Sequence, residues 1–375
     1  MTPCYVFSLN ELNKRISKIK EIFGDIPLTY SIKANPFLVE YLPENISHIE
    51  ACSPGELDIC IRKKINPSKI IYSGVMKEYE DVKNAIIYGT DIITIESYIH
   101  YDLVRRIAHE LGKRVSIIIR LTSGNQFGMS KDDIVNLLNN NVLNDSMCKI
   151  VGFHYYSGTQ KSRTAEFQAD ISNLTELLQK VENDFGFRPD IIEYGPGLAV
   201  DYFREPYEAI DMETIRNFFD AINEFAAQYP LTIEMGRFIA STCGRYKTEV
   251  KDIKTNYDVT YAIVDGGIHQ INYYKQILSM TKPPLSQWPV RSREKRKYTI
   301  CGSLCTVADV LVKEIELNEL GIGDILTFYR VGAYSMCEAS NLFLSRKMPV
   351  VYIESENNEL FMVRNFINTD KFNCP

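Results

Sequence analysis

A (β/α)8 barrel followed by a mostly β domain is the fold class this sequence predicts. Eight short apolar segments alternate with amphipathic stretches over roughly the first 237 residues, the pattern of a barrel of parallel strands with helices outside. After about residue 238 helical patterns become short and strand-like runs dominate. Reactive residue types also recur where the apolar segments end, which is where such barrels place their chemistry.

The elements follow in order. Tyr5, Val6 and Phe7 read as a strand ahead of the barrel, expected to pair with the β domain. Residues 10–23 read as a helix, with Ile16, Ile19 and Phe23 on one face. The eight candidate barrel strands are 28–33, 48–52, 69–73, 91–95, 115–120, 150–155, 191–195 and 231–234, each followed by a helix or a loop. A doubly wound open sheet is the alternative. It would want a glycine-rich turn after its first strand, and here that strand ends in Lys33, Ala34, Asn35 and Pro36. Beyond 238 the strand-like runs are 259–264, 297–300, 325–330, 350–353 and 360–365. The expected organisation is an N-terminal strand and helix (1–24), a barrel (25–237) and a β domain (238–375). A basic run, 291–297, is expected in a loop of the β domain.

Composition narrows the class. The chain has 375 residues, too long for one ordinary domain, and 45% hydrophobic residues, enough to fill two cores. A formal net charge of −6 offers no field for nucleic acid. No apolar run reaches membrane-spanning length, and the N-terminus shows no signal-peptide pattern. Nine cysteines without a C-x-x-C pair read as reduced thiols in a cytoplasm. The five histidines are scattered, so no dedicated metal site is expected.

At the strand ends, Lys33 closes the first candidate strand, and Ser53 and Glu56 follow the second. Arg120 ends the fifth, His154 closes the sixth, and Gly195, Pro196 and Gly197 mark the seventh. Glu234, Met235, Gly236 and Arg237 end the eighth. A lysine at a strand edge can simply snorkel to water. Several charged residues at the ends of apolar strands together require a shared cavity, since burying each separately is costly.

The string Tyr30-Ser31-Ile32-Lys33-Ala34-Asn35-Pro36 resembles the Y-x-x-K-A-N segment of pyridoxal-phosphate (PLP) enzymes of the alanine-racemase fold (fold type III), which include the ornithine, arginine and diaminopimelate decarboxylases. Further segments match in the family's order. Glu50 to Leu57 is similar to the stretch after the second barrel strand, and His154 to Ser157 to the H-x-G-S stretch. Gly195, Pro196 and Gly197 resemble the glycine-rich phosphate loop, with Pro196 in place of a glycine and so one N–H fewer. Glu234 to Arg237 resembles E-P-G-R with Met235 for proline, Cys305 the cysteine of G-P-x-C, and Tyr334 the tyrosine of G-A-Y.

The resemblance implies a PLP-dependent amino-acid decarboxylase, a lyase, with Lys33 carrying the cofactor as a Schiff base. It implies that His154 stacks on the cofactor ring. Ser157, Gly195, Gly197, Gly236, Arg237 and Tyr334 would serve the cofactor, chiefly its phosphate. Glu234 would sit beside the ring nitrogen and favour its protonated form. Alanine racemase-type members have an arginine there, so a glutamate points to decarboxylation over racemisation. Cys305 would protonate the substrate's Cα from the second subunit of a homodimer with shared active sites. Arg120, Thr306 and Asp309 are expected on the substrate's side.

Two departures bear on the substrate. Where ornithine and diaminopimelate decarboxylases carry an acid after the cysteine, this chain has Thr306, and the usual F-N-G tail after the tyrosine is replaced. A hydroxyl cannot compensate a desolvated ammonium as a carboxylate does. The segments around Phe127, His154, Asp265 and Cys305 resemble a smaller branch, whose member in butirosin biosynthesis decarboxylates a glutamyl group carried on an acyl carrier protein. That implies an amino acid tethered to a carrier protein or otherwise acylated; the basic run is then either a docking element for an acidic carrier or a solvated loop that aids solubility. Free diaminopimelate, lysine or ornithine is the alternative substrate. A catalytically silent regulatory relative is the alternative class, and the joint retention of Lys33, His154, Glu234 and Cys305 weighs against it.

Overall fold

A computed structural model describes every residue except Asn141, Lys275, Ile277, Leu278, Ser292, Arg293 and Pro375. The chain forms two compact units: residues 17–199 with 211–238, and residues 1–16 with 200–210 and 239–375. Strand β1 (Cys4–Ser8) and helix α1 (Leu9–Phe23) open the chain.

The first unit is a barrel. Its strands are β2 (Leu28–Ser31), β3 (His48–Ala51), β4 (Ile70–Tyr72), β5 (Ile92–Ile95), β6 (Val115–Leu121), β7 (Cys148–Tyr156), β8 (Ile191–Gly195) and β9 (Leu231–Met235). They close in sequence order, each parallel to the next, with β2 pairing β9. The helices α2 (Pro54–Arg62), α3 (Tyr79–Tyr88), α4 (Tyr98–Leu111), α5 (Lys131–Asn139), α6 (Thr164–Phe185) and α7 (Tyr207–Gln228) supply the crossovers. Several begin on a serine whose hydroxyl accepts the amide three residues on: Ser53 for α2, Ser97 for α4 and Ser130 for α5. At α2 the cap is reciprocal, because the Glu56 carboxylate accepts the Cys52 amide at 2.7 Å. Ser53 and Glu56 thus start a helix.

The strands carry a two-layer pattern on one face. Side chains two apart along a strand share a side, and the pairs are Ile71 with Ser73, Ile92 with Thr94, Ile118 with Arg120, and Ile191 with Glu193. The first members pack together as a buried cluster of Ile71, Ile92, Ile118 and Val151, joined by Ile191. The second members lie toward the carboxyl ends and are polar. The barrel therefore has an apolar floor with a polar layer above it.

The first strand is shorter than the sequence suggests. It stops at Ser31, and Lys33 lies in a 3-10 turn, Ile32–Ala34, two residues past the strand end. Pro36 ends the turn: it disfavours helical backbone at Asn35, which is extended at φ −164°, and the Asn35 amide closes the turn on the Ile32 carbonyl at 3.0 Å.

The second unit is built on a sheet that includes β1. After the short α8 (Arg237–Ala240), its strands are β10 (Gly244–Asn256), β11 (Val259–Val264), β12 (Leu285–Trp288), β13 (Lys295–Cys301), β14 (Val310–Asn318), β15 (Ile325–Tyr329), β16 (Val350–Glu354) and β17 (Leu360–Arg364). β1 runs antiparallel to β10 and parallel to β16. Tyr5 of β1 and Tyr246 of β10 are registered partners with ring centroids 5.1 Å apart, both fully buried. A four-residue helix, α9 (Asp370–Asn373), lies near the C-terminus.

The basic run corrects the sequence reading. Lys295, Arg296 and Lys297 open strand β13 rather than lying in a loop, and Lys297 stands opposite Glu316 of β14. Arg291 is bound to the fully buried Asp324 at 2.7 Å, and Arg296 pairs with Glu319 at 3.3 Å. The cross-strand placement of Lys297 opposite Glu316 favours the strand over a loop. Arg293, part of the same run, lies outside the described residues.

Truncating the apolar floor should cost stability without touching the polar layer. Ile118→Ala is expected to destabilise the fold by about 2–5 kcal/mol, read as a lower urea midpoint at unchanged slope. A loss below about 0.5 kcal/mol would show that Ile118 is not part of a close-packed core.

Candidate active site

Carboxylates and bases from different sides of the barrel converge above the apolar floor. Lys33 Nζ lies 2.9 Å from Glu50 Oε2 on β3 and 3.6 Å from Glu234 Oε1 on β9. Glu234 Oε2 is 3.1 Å from His154 Nε2 on β7, and the Ser31 hydroxyl donates to Glu234 Oε1. Registration explains the convergence: Ser31 is level with Glu50, Thr29 with Glu234, and Glu193 with His154. Only side chains pointing into the lumen of a closed barrel can meet from strands this far apart in the sheet.

Electrostatics sorts the acids. Burial alone would push Glu234 up, but the Lys33 ammonium and then His154 hold it well below the usual carboxylate range, so it is an anion. Glu193 goes the other way. It is fully buried, and neither of its oxygens meets hydrogen-bond geometry among the described residues. Burial pushes its carboxyl well up, with Glu234 and Glu50 adding to the shift, so it is neutral. Burial also pushes up the Cys52 thiol, 3.5 Å from Lys33 Nζ, leaving it a neutral neighbour of the amine. Acceptor atoms of Glu50, His154 and Glu234 lie within 4.8 Å of one another, the spacing of a metal site. Lys33 already supplies the cation there.

The glycines mark tight packing around this cluster. A Cβ on Gly195 would stand 2.7 Å from the Tyr156 ring and 3.0 Å from Glu234 Oε2. One on Gly236 would stand 2.8 Å from Ala34 Cβ. Gly197 has φ +58°, and its Cβ would fall 1.8 Å from the Gly158 carbonyl oxygen. Arg237 follows at the start of α8. The Ser157 hydroxyl donates to Asp170 Oδ2 at 2.8 Å and accepts from Lys161 Nζ at 2.6 Å.

The remaining expected residues lie elsewhere. Arg120 is at the barrel rim, where its guanidinium meets Glu96 at 3.2 Å and lies 4.7 Å over the Phe127 ring, while Glu96 also accepts the Gly128 amide at 2.9 Å. Cys305, Thr306 and Asp309 share one loop of the second unit, between β13 and β14. Cys305 is exposed. Asp309 is buried, and its carboxylate accepts the amides of Ile268 (2.8 Å) and Leu304 (2.7 Å). These bonds hold the shape of its own loop. Tyr334, also in the second unit, has φ +64°.

Sequence reasoning passed over several of these groups. Glu50 and Glu193 are acids inside apolar strands, the signal that singled out the strand-end residues, and both could have been found by it. Asp170 lies on the apolar face of α6 with Phe167 and Leu174, all buried. An acid at that spacing demands a partner, and Lys161 is that partner.

Residues 9–241 match the family model described as "Pyridoxal-dependent decarboxylase, pyridoxal binding domain". The chain belongs to this family. Its cofactor is pyridoxal 5′-phosphate and its reaction is the decarboxylation of an amino acid. Among family relatives, the diaminopimelate decarboxylase of Aquifex aeolicus is 25% identical over 393 residues, covering 98% of this chain and 90% of that protein. The L-glutamyl-[BtrI acyl-carrier protein] decarboxylase of Niallia circulans is 26% identical over 326 residues, covering 80% of this chain and 76% of that protein. The crystal structure of diaminopimelate decarboxylase from M. jannaschii with L-lysine superposes with a TM-score of 0.86 at 21% identity, over 100% of this chain and 91% of that one. No helix among the described residues is long and apolar enough to cross a membrane.

The barrel fits this cofactor. A lysine at the open end of the lumen lies between two carboxylates, one of them a buried anion suited to a cationic ring nitrogen, and His154 Nδ1 is buried with no hydrogen-bond partner among the described residues.

Glu193 makes a pH-dependent prediction. Its ordinary pKa is about 4.3 and its folded value lies well above. Between the two, folding takes up a proton, so stability falls as pH rises. Glu193→Gln removes that loss. The variant should melt higher than the parent at pH 8, with the gap shrinking toward pH 5. A gap that widens on acidification would mean that Glu193 is ionised in the fold.

Proposed function

We propose that the protein decarboxylates an amino acid whose far end carries no free cation, one attached to an acyl carrier protein or otherwise acylated. The observation that carries this is Thr306. It follows the exposed Cys305 on the 302–309 loop, and its side chain offers a hydroxyl where an ammonium would need a carboxylate. The Niallia circulans relative, named for a carrier-bound glutamyl substrate, supports the reading. A second reading, free diaminopimelate, is favoured by the Aquifex aeolicus relative, which matches more of the chain.

Position and charge support the following residue roles. Lys33 bonds the cofactor covalently. His154 lies against the cofactor ring, and the anionic Glu234 holds the ring nitrogen's proton. Gly195, Gly197, Gly236, Ser157, Arg237 and Tyr334 serve the phosphate. The bound cofactor supplies an electron sink for the bond that carbon dioxide leaves. Ser31 and His154 keep the Glu234 carboxylate oriented, so its field is fixed before the reaction begins. Arg120 faces the substrate from the rim, held by Glu96. Cys305, presented by a second copy of the chain, returns the proton to Cα. Because Arg291 and Arg296 have acidic partners and Lys297 stands opposite Glu316, a carrier would meet chiefly the exposed Lys295.

Carbon dioxide release measured over a carrier-bound glutamyl group, free glutamate, diaminopimelate, lysine and ornithine tests the substrate. The carrier-bound or acylated form should be preferred by on the order of a hundredfold in kcat/KM, about 2.7 kcal/mol. Equal or better turnover of free diaminopimelate would overturn the acylated reading and leave the decarboxylase intact.

Two tests address the residues. Borohydride reduction and peptide mapping should label Lys33, and label on another lysine would refute its assignment. Mixing inactive Lys33→Ala and Cys305→Ala chains should restore partial activity, since a mixed dimer holds one intact composite site. No recovery, once subunit exchange is demonstrated, would rule out a shared site.

A further inference from the structure

We infer that Lys161 is a phosphate-binding residue for the cofactor and supplies the charge-assisted donor that Pro196 withholds; this rests on the reading of the Gly195–Gly197 turn given above. The glycine-rich turn has a shortage of donors. Of its three residues only Gly195 and Gly197 carry an N–H. Ser157, the hydroxyl expected to help, is also engaged. Its single hydrogen goes to Asp170 Oδ2 at 2.8 Å, an oxygen that can only accept. Ser157 Oγ is in turn an acceptor for Lys161 Nζ at 2.6 Å.

Lys161 is placed to fill the gap. Its backbone is stitched to the segment that carries the turn: the Lys161 amide donates to the Gly197 carbonyl at 3.0 Å, and the Ala199 amide donates to the Lys161 carbonyl at 2.8 Å. The 158 and 197 backbones are in direct contact, since a Cβ on Gly197 would lie 1.8 Å from the Gly158 carbonyl oxygen. The Lys161 side chain is buried, its ammonium bonded to Asp170 and lying 5.8 Å from the centres of the Phe167 and Tyr194 rings. Tyr194 donates to the same Asp170 oxygen at 2.6 Å.

Hydrogen counting assigns the role. An ammonium has three donors. One is used by Asp170 and one by Ser157, which leaves one without an acceptor among the described residues. Asp170 holds the ammonium in place without taking all its hydrogens. A buried cation beside a glycine turn short of one amide suits a dianionic phosphate. If Lys161 were only a clamp between α6 and the 157–161 loop, a polar side chain of similar length would serve, and the cofactor's phosphate would feel no difference.

The test compares binding of pyridoxal 5′-phosphate and pyridoxal to the apoenzyme, by absorbance and by quenching of intrinsic fluorescence, without reference to turnover. Wild type should bind the phosphorylated ligand far more tightly. Wild type that makes no such distinction overturns the phosphate-turn reading, and this inference with it. Lys161→Gln should weaken pyridoxal 5′-phosphate on the order of tenfold, the size of one charged hydrogen bond, and leave pyridoxal within about twofold; Lys161→Arg should recover most of the loss. Equal losses for both ligands, no loss, or an Arg variant no better than Gln each overturn the assignment to Lys161 while the phosphate turn stands. Should Lys161→Gln fail to fold, Pro196→Gly decides. It restores the third amide and should raise the ratio of the two affinities, and an unchanged ratio overturns the inference.

Discussion

The buried carboxylate of Glu234 is the interaction on which the rest of the site depends. An ion in the lumen of a closed barrel loses its water, and it persists only if neighbours replace that water with matched charge and hydrogen bonds. Glu234 receives both, from Lys33, Ser31 and His154. Each partner comes from a different stretch of chain, so the anion ties the turn after β2, strand β2 and strand β7 to strand β9. The functional consequence follows from the same arrangement. A carboxylate kept ionised by fixed neighbours provides a preorganised negative field, and the cation it meets in the structure is the Lys33 amine.

Glu193, the carboxylate level with His154, shows why neighbouring acids in one lumen differ in charge. Three acids face the lumen, Glu50, Glu193 and Glu234, with one ammonium among them. Coulomb repulsion at such separations in a poorly solvated space makes ionising all three prohibitive. Glu193 lies next to the apolar floor, two residues above Ile191 on the same face, and there burial outweighs the Thr29 hydroxyl and the Lys33 ammonium that favour its charged form. It takes the proton. The sharp change from Ile71, Ile92 and Ile118 to polar side chains one layer up thus sets which acids are charged as well as where the cavity begins.

Much of this was readable from residues. The barrel was legible because each strand is a short apolar run with a helix after it, and the lysine, histidine and glutamate stood out because charge at the end of such a run needs a partner. β10 escaped notice for a physical reason. Its sequence, Gly244 to Asn256, alternates buried residues with Arg245, Lys247, Glu249 and Lys251, and one-sided burial in a sheet with a wet face resembles a charged loop. β14 hid behind Lys313, Glu314 and Glu316 in the same way. The basic run was misplaced because spacing alone does not reveal that Glu316, Glu319 and Asp324 are its neighbours. Lys161 was invisible for a related reason, since a lysine in a loop is ordinary until Asp170, nine residues on, is found facing the core.

The loop that carries Cys305 makes the complementary argument about specificity. Its shape is set from inside by Asp309, whose oxygens bind the Ile268 and Leu304 amides and stand so close to Gly267 and Gly302 that a Cβ on either would lie 2.6 Å or 2.3 Å from a carboxylate oxygen. Burial pushes the Asp309 carboxyl up, and the two amides pull it back by bonding the charged form. The tip is held as well, because the Ala308 amide donates to the Thr306 hydroxyl at 3.3 Å. What the loop offers at its tip is side-chain chemistry, a thiol and a hydroxyl, with the one acid of the loop turned inward.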